Sequence, residues 1–284
     1  NDDTTDQWLT LSATDTNAST GDTAISDKDG ITLTKLYFTA KTDMATVMVG
    51  KQKQPTPFLD DERGDGVVVV APVGPVTLAA GHFTGMNAPS QSDITAAAVI
   101  GTFGPVNASV WYANIGSDLA DAISLNVNGK FGPVNVDLTH STAELGAAGS
   151  EDETLTKLIV SGKVANVNLV AGYGVTNDTA ARVHGVDLTS DEDAKTNFRL
   201  DQLVLDDHND ADALLLGASM TFGQTTVGAN YLMVDIGNAA DATELDINVK
   251  YAMSKNFSVT ALYSNADVDY TTAAALADTD ETRM

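Results

Sequence analysis

Residues 122–138 read AISLNVNGKFGPVNVDL. Ile123, Leu125, Val127, Gly129 and Phe131 alternate with Ser124, Asn126, Asn128 and Lys130. After Gly132 and Pro133 the alternation restarts, with Val134, Val136 and Leu138 against Asn135 and Asp137. Successive side chains of a strand point to opposite faces. The stretch therefore predicts two strands, each with one apolar and one polar face, joined by a tight turn.

The same grammar runs outward along the chain. Leu245, Ile247, Val249, Tyr251 and Met253 oppose Asp246, Asn248 and Lys250; Phe257, Val259, Ala261 and Tyr263 oppose Ser258, Thr260 and Ser264. Two kinds of connection alternate between such segments. One is very short: Gly74 and Pro75, Gly104 and Pro105, Gly132 and Pro133, Ala165 and Asn166, Gly223 and Gln224, and residues 254–256. The other is longer and polar, over residues 15–30, 53–65, 142–153 and 177–210. Short turns at one end and long loops at the other predict an all-β, transmembrane, antiparallel up-and-down barrel with periplasmic turns and long acidic extracellular loops. Most segments have about 8–12 residues, enough to cross a bilayer when tilted. Some fifteen can be counted, and the even-number rule raises the expectation to roughly 16–18. Residues 1–284 are read as a single barrel domain whose two ends fall in mid-pattern. No charged-then-apolar leader opens the sequence, and a closing strand is expected beyond it.

Which face meets lipid follows from what the other face carries. Lys35, Lys130, Asp137, Lys157, Lys163, Asp246 and Lys250 fall opposite the apolar positions. A wall of this many strands around charged side chains implies a wide water-filled lumen lined by those seven residues. Phe103, Phe131, Phe222, Tyr251 and Phe257 adjoin short turns on the apolar face, where an interfacial aromatic girdle belongs, and Tyr112, Tyr231 and Tyr263 sit toward the other end. Membrane lipid is thus the first partner predicted.

Composition narrows the chemistry. The formal charge is −24, from 39 acidic and 15 basic residues, so a nucleic-acid partner is not expected. There is no cysteine, which excludes thiolate metal sites and disulfides. His82, His140, His184 and His208 have no metal-ligand spacing, and no phosphate loop or nucleophile elbow occurs. Neither an enzyme nor a resident cofactor is predicted. Oxygen-rich residues 206–210 around His208 are compatible with Ca²⁺ without matching an EF-hand.

Residues 35–66 read KLYFTAKTDMATVMVGKQKQPTPFLDDERGDG. They resemble the strand, turn, strand and eyelet-loop entry of trimeric bacterial outer-membrane porins, most of all the OmpM-type porins of diderm Firmicutes, in which an SLH domain and a coiled coil precede the barrel. The match rests on the strand pattern along nearly the whole chain and, residue by residue, on positions 37–41 and 45–52. The resemblance implies a general diffusion channel and a homotrimer. Cell-wall attachment would run through a region not present here. It also implies that residues 53–65 fold inward as the constriction, where Lys51, Lys53 and Arg63 would face Asp60, Asp61, Glu62 and Asp65. Opposed charges there would set up a transverse field across the pore. Read from its residues alone, the segment suits an ordinary extracellular loop equally well.

Two functions stay open at this point: a transport channel, or a structural or adhesive barrel that conducts little. Small and polar inward positions (Ser124, Asn126, Ser161, Gly217, Ser219, Gly228, Asn230, Thr260) favour the channel. A plug would need a long internal segment, and only residues 177–210 are long enough.

Overall fold

The computed structural model describes residues 9–11, 31–33, 35–58, 63–84, 93–115, 119–145, 152–177, 195–196, 198–205, 208–237, 239–270 and 279–283. A short antiparallel pair, β1 (Leu9–Leu11) and β2 (Ile31–Leu33), stands apart from one large sheet. That sheet has 15 strands. They are β3 (Leu36–Lys41), β4 (Thr46–Lys53), β5 (Arg63–Val73), β6 (Val76–Thr84), β7 (Ile94–Phe103), β8 (Val106–Ile115), β9 (Leu119–Phe131) and β10 (Val134–Leu145), then β11 (Glu153–Val164), β12 (Val167–Thr176), β13 (Ala211–Phe222), β14 (Thr225–Ile236), β15 (Ala240–Ser254), β16 (Phe257–Tyr270) and β17 (Thr279–Arg283). Each strand pairs antiparallel with its neighbours in sequence, so no connection crosses another. β3 and β17 are the edges, and among the described residues no pairing joins them. Residues 31–41 contribute to two sheets: β2 pairs with β1, and β3 takes β4 as its partner.

The tight turns follow from their residues. Gly74, Gly104 and Gly132 have φ of +60°, +62° and +63°, each followed by proline. Glycine at the first central position with φ > 0 is the type II′ requirement, and that turn twists with the strands it joins. Proline can follow because the second central residue has the φ that its ring imposes. Val73 then pairs with Val76, Phe103 with Val106 and Phe131 with Val134, so the ladder resumes without a gap.

The alternation sorts the two faces as expected, with the apolar one outward. Leu78, Val99, Val110, Ile123, Leu125, Leu138, Leu169, Leu216, Ile247 and Val259 are all exposed. The girdle residues Phe103, Phe131, Phe222, Tyr251 and Phe257 are exposed as well, between 45% and 59%. A continuous belt of this kind would be untenable in water and is stable against hydrocarbon chains. Ser124, Thr139 and Ser141 on the other face are buried. Strands of 10–15 residues from β7 to β16 give the belt the height of a bilayer core. Among the described residues no helix is long and apolar enough to cross a membrane; the crossing is made by strands.

The chain has no cysteine, so an introduced thiol is alone. Cysteine at Pro105, Pro133 or Asn166, in the short turns, is expected to resist a membrane-impermeant maleimide added to intact cells, and cysteine at Asp191 is expected to react. The reverse pattern would invert the assigned sidedness.

Candidate functional site

The inner wall is reached by following the ladder across strands. Ala98 pairs with Trp111, Trp111 with Ser124, Ser124 with Ser141 and Ser141 with Leu155. These side chains share the face opposite the apolar belt. Ser161, Gly217, Ser219, Gly228, Asn230, Asn126 and Thr260 occupy that face too, by the same register.

Two segments fold against this wall from the long-loop end. The first is residues 54–58, which leaves β4 and packs inward: Gln54, Thr56 and Phe58 are buried. Pro55 and Thr56 line a small pocket together with Val68, Gly81, Phe83 and Trp111. The second comprises residues 195, 196 and 198–205, between β12 and β13, closed on itself by a bridge from Arg199 to Val204. Phe198 and Leu205 are buried. They rest on β12 where Gly172 and Gly174 leave room. A Cβ at Gly174 would stand 2.6 Å from Leu205 Cδ2, and one at Gly172 2.9 Å from Phe198 Cε2. Leu155, Leu215 and Leu232 complete this apolar seat.

The second segment is also held by charge. Glu244 on β15 is fully buried and accepts three backbone N–H groups, from Asp201 (2.9 Å), Gln202 (2.8 Å) and Leu203 (2.6 Å). Ser264 Oγ donates a fourth bond to it at 2.9 Å, and Gln202 Nε2 donates to Ser264 Oγ at 2.8 Å. A buried carboxylate is tolerated only when so surrounded by donors. The two segments touch one another: Lys195 N donates to Pro57 O at 3.0 Å. Lys157, buried on the β11 wall, donates from Nζ to Lys195 O.

A cavity of about 740 Å³ remains beside them, lined by Trp111, Asn126, Asp137, Lys157, Lys53 and Lys195. A ladder of side chains runs down the wall below it. Thr102 Oγ1 donates to Asn107 Oδ1 (2.8 Å), Asn107 to Asn128 (3.0 Å) and Asn128 to Asn126 (2.6 Å). Asn126 Nδ2 reaches Asp137 Oδ1 at 2.8 Å and Thr139 Oγ1 at 2.9 Å. Such a wall offers water and solutes a continuous polar surface.

The register locates the residues singled out by sequence. Lys130, Asp137, Lys157, Lys163, Asp246 and Lys250 lie on the inner face, and Lys35 stands 5.8 Å from the Tyr37 ring centroid on the same face. Lys51 pairs with Asp65 and Lys53 with Arg63, on the register face of Val49 and Val67. Asp60, Asp61 and Glu62 lie outside the described residues. The Ca²⁺ expectation falls partly there too, since Asp206 and Asp207 are not described. Among the described residues no group of three or more His, Asp or Glu side chains is placed to hold a metal ion. Glu244 and the pair Phe198 and Leu205 were not singled out from sequence. Their signals were faint: two glycines alternating on one face of a strand, and apolar residues inside an acidic loop.

The fold recurs in solved structures. Pseudomonas aeruginosa OccK8 (OprE) aligns with a TM-score of 0.66 and 14% identity, over 87% of this chain and 77% of that one. Pseudomonas aeruginosa OccK1 (OpdK) aligns with a TM-score of 0.68 and 12% identity, over 87% and 76%. Acinetobacter baumannii OccAB1 aligns with a TM-score of 0.67 and 16% identity, over 87% and 74%. No curated protein matches the sequence. The similarities do not narrow the chain to the OmpM-type, SLH-linked group. The profile of the Gram-negative porin family matches residues 4–272. With that match, a lipid-facing belt and a polar inner wall, the chain belongs to the Gram-negative porin family and is an outer-membrane channel for the passive diffusion of small hydrophilic solutes.

Proposed function

We propose that the narrowest part of this channel is made jointly by residues 53–58 and by residues 195, 196 and 198–205, and that their contact governs which solutes pass. The observation that carries this reading is the bond from Lys195 N to Pro57 O, which ties two inward segments from different sides of the wall beside the cavity. Lys53, Lys157 and Lys195 line that space together with Asp137. Lys51, Arg63 and Asp65 sit at the root of the first segment, where β4 and β5 separate, and Asp60, Asp61 and Glu62 follow in the part of the loop between them. Opposed charges at a constriction orient dipolar solutes and weight ion passage.

Selectivity is the sum of two opposing sets. The chain's acidity draws cations toward the mouth, while Lys35, Lys130, Lys157, Lys163 and Lys250 on the inner wall favour anions. The acid in distal loops is screened beyond about 8–10 Å at moderate salt. A mild cation preference results.

A homotrimer is the assembly we favour. Outward positions Ala80 and Ala97 pair across β6 and β7 and make a flat strip on the exposed wall. Small residues let membrane segments approach closely.

Three outcomes are expected. Glu244→Ala removes the acceptor for three amides, at about 1–3 kcal/mol for each one left unpaired. The second segment should then undock, giving a larger and noisier single-channel conductance and faster entry of larger sugars in liposome swelling. Unchanged conductance would show that the segment does not narrow the pore. Reversal potentials under a KCl gradient should show a weak cation preference that shrinks as salt rises; strong anion selectivity persisting at high salt would contradict the charge balance. Cross-linking of the protein in detergent should give a trimer, and a protein that stays monomeric by native mass measurement would exclude that assembly.

A further inference from the structure

Four lysines share one level of the inner wall. Lys41 ends β3 beside the turn into β4 and pairs with Thr46. Lys130 precedes the β9–β10 turn and pairs with Asn135. Lys163 precedes the β11–β12 turn and pairs with Asn168. Lys250 pairs with Thr226, two residues beyond the β13–β14 turn, and with Thr260 on its other side. Followed strand to strand, each lies on the face of Ser124 and Ser161, and all four are exposed. The neighbouring inward strand positions Pro72, Thr77, Thr102, Asn107, Ser219 and Thr221 are uncharged, and the short turns at this mouth add one acid, Asp43, and one further base, Lys255. The nearest inward carboxylate, Asp137, sits one layer deeper and receives a bond from Asn126. No acidic side chain pairs with any of the four among the described residues.

The opposite end has the other sign. Glu144, Asp152, Asp212, Asp235, Asp241 and Asp269 stand exposed at the long-loop ends of the described strands, against Lys53, Arg63, Lys195 and Arg199.

We propose that this basic collar at the short-turn mouth, set against the acidic long-loop mouth, makes the channel an ionic rectifier. The inference rests on the channel reading and adds a direction to it. Fixed ammonium groups hold mobile anions as counterions at one mouth, and fixed carboxylates hold mobile cations at the other. When the long-loop side is positive, cations enter through the acidic mouth and anions through the basic one, and both accumulate between them. When it is negative, both are drawn outward and the middle of the pore is depleted. Current is larger in the first polarity. The effect requires that the fixed charges reach across the lumen, so it fades as the screening length falls to about 3 Å at 1 M salt.

The test uses the whole protein in planar bilayers, oriented by a cysteine at Asp191 and an impermeant blocker added to one side. In symmetric KCl near 0.05 M the current at +100 mV on the long-loop side should exceed that at −100 mV by about 1.5- to 2-fold, approaching unity at 1 M. The triple variant Lys130→Gln, Lys163→Gln, Lys250→Gln should flatten the curve and move reversal potentials toward cations. The corresponding arginine variant should keep the rectification. A linear current at low salt in oriented wild-type channels, or a curve unchanged by the glutamine variant, overturns the collar while the channel stands. A protein that conducts at neither polarity overturns both.

Discussion

A backbone amide in hydrocarbon has no water to bond to, and an unpaired one costs several kcal/mol. That constraint underlies the whole molecule. Every strand from β4 to β16 has an antiparallel partner on both sides, and consecutive strands pair without exception. Pairing neighbours in sequence demands reversal within a couple of residues at one end, which glycine with positive φ followed by proline supplies. It also holds each side chain to one of two faces, because the register cannot slip by one without exchanging lipid for water along a whole strand.

The result inverts the usual distribution of a globular protein. Bulky aliphatic and aromatic side chains stand outward, and serine, asparagine and lysine line the interior. The interior is nevertheless not uniformly polar. Where residues 54–58 and residues 195, 196 and 198–205 dock, the wall turns apolar, with Phe83, Ile94, Leu155, Leu215 and Leu232 buried. A segment that folds into a channel must bury something to stay there, and it also needs its own backbone groups satisfied. The first need is met by Phe58, Phe198 and Leu205, the second by Glu244.

The barrel itself was legible because period two is a local signal repeated many times over. The turns at Gly74, Gly104 and Gly132, the aromatic girdle and the inward lysines could each be read from a dozen residues. The site was much less so. Lys51, Arg63 and Asp65 drew notice because they are charged and close in sequence, whereas parity sets them with Val49 and Val67. Glu244 lies about forty residues from the amides it holds, and nothing local distinguishes it from Asp246 two positions on. Gly172 and Gly174 look like ordinary small inward residues until Phe198 and Leu205 occupy the space they leave. Docking of a loop on a distant strand is a long-range contact, and alternation carries no information about it.

That long-range contact also has an order in time. The inner segment leaves the chain after β12, but the carboxylate that grips it belongs to β15 and the hydroxyl that supports the carboxylate to β16. If the strands are laid down in sequence, the segment has its apolar seat on β12 long before it has its latch. The lumen would therefore be wide while the wall is being built and would narrow only once β15 and β16 have zipped into place. Folding intermediates of this channel should be leakier than the finished one, and the last strands to assemble would be the ones that set its bore.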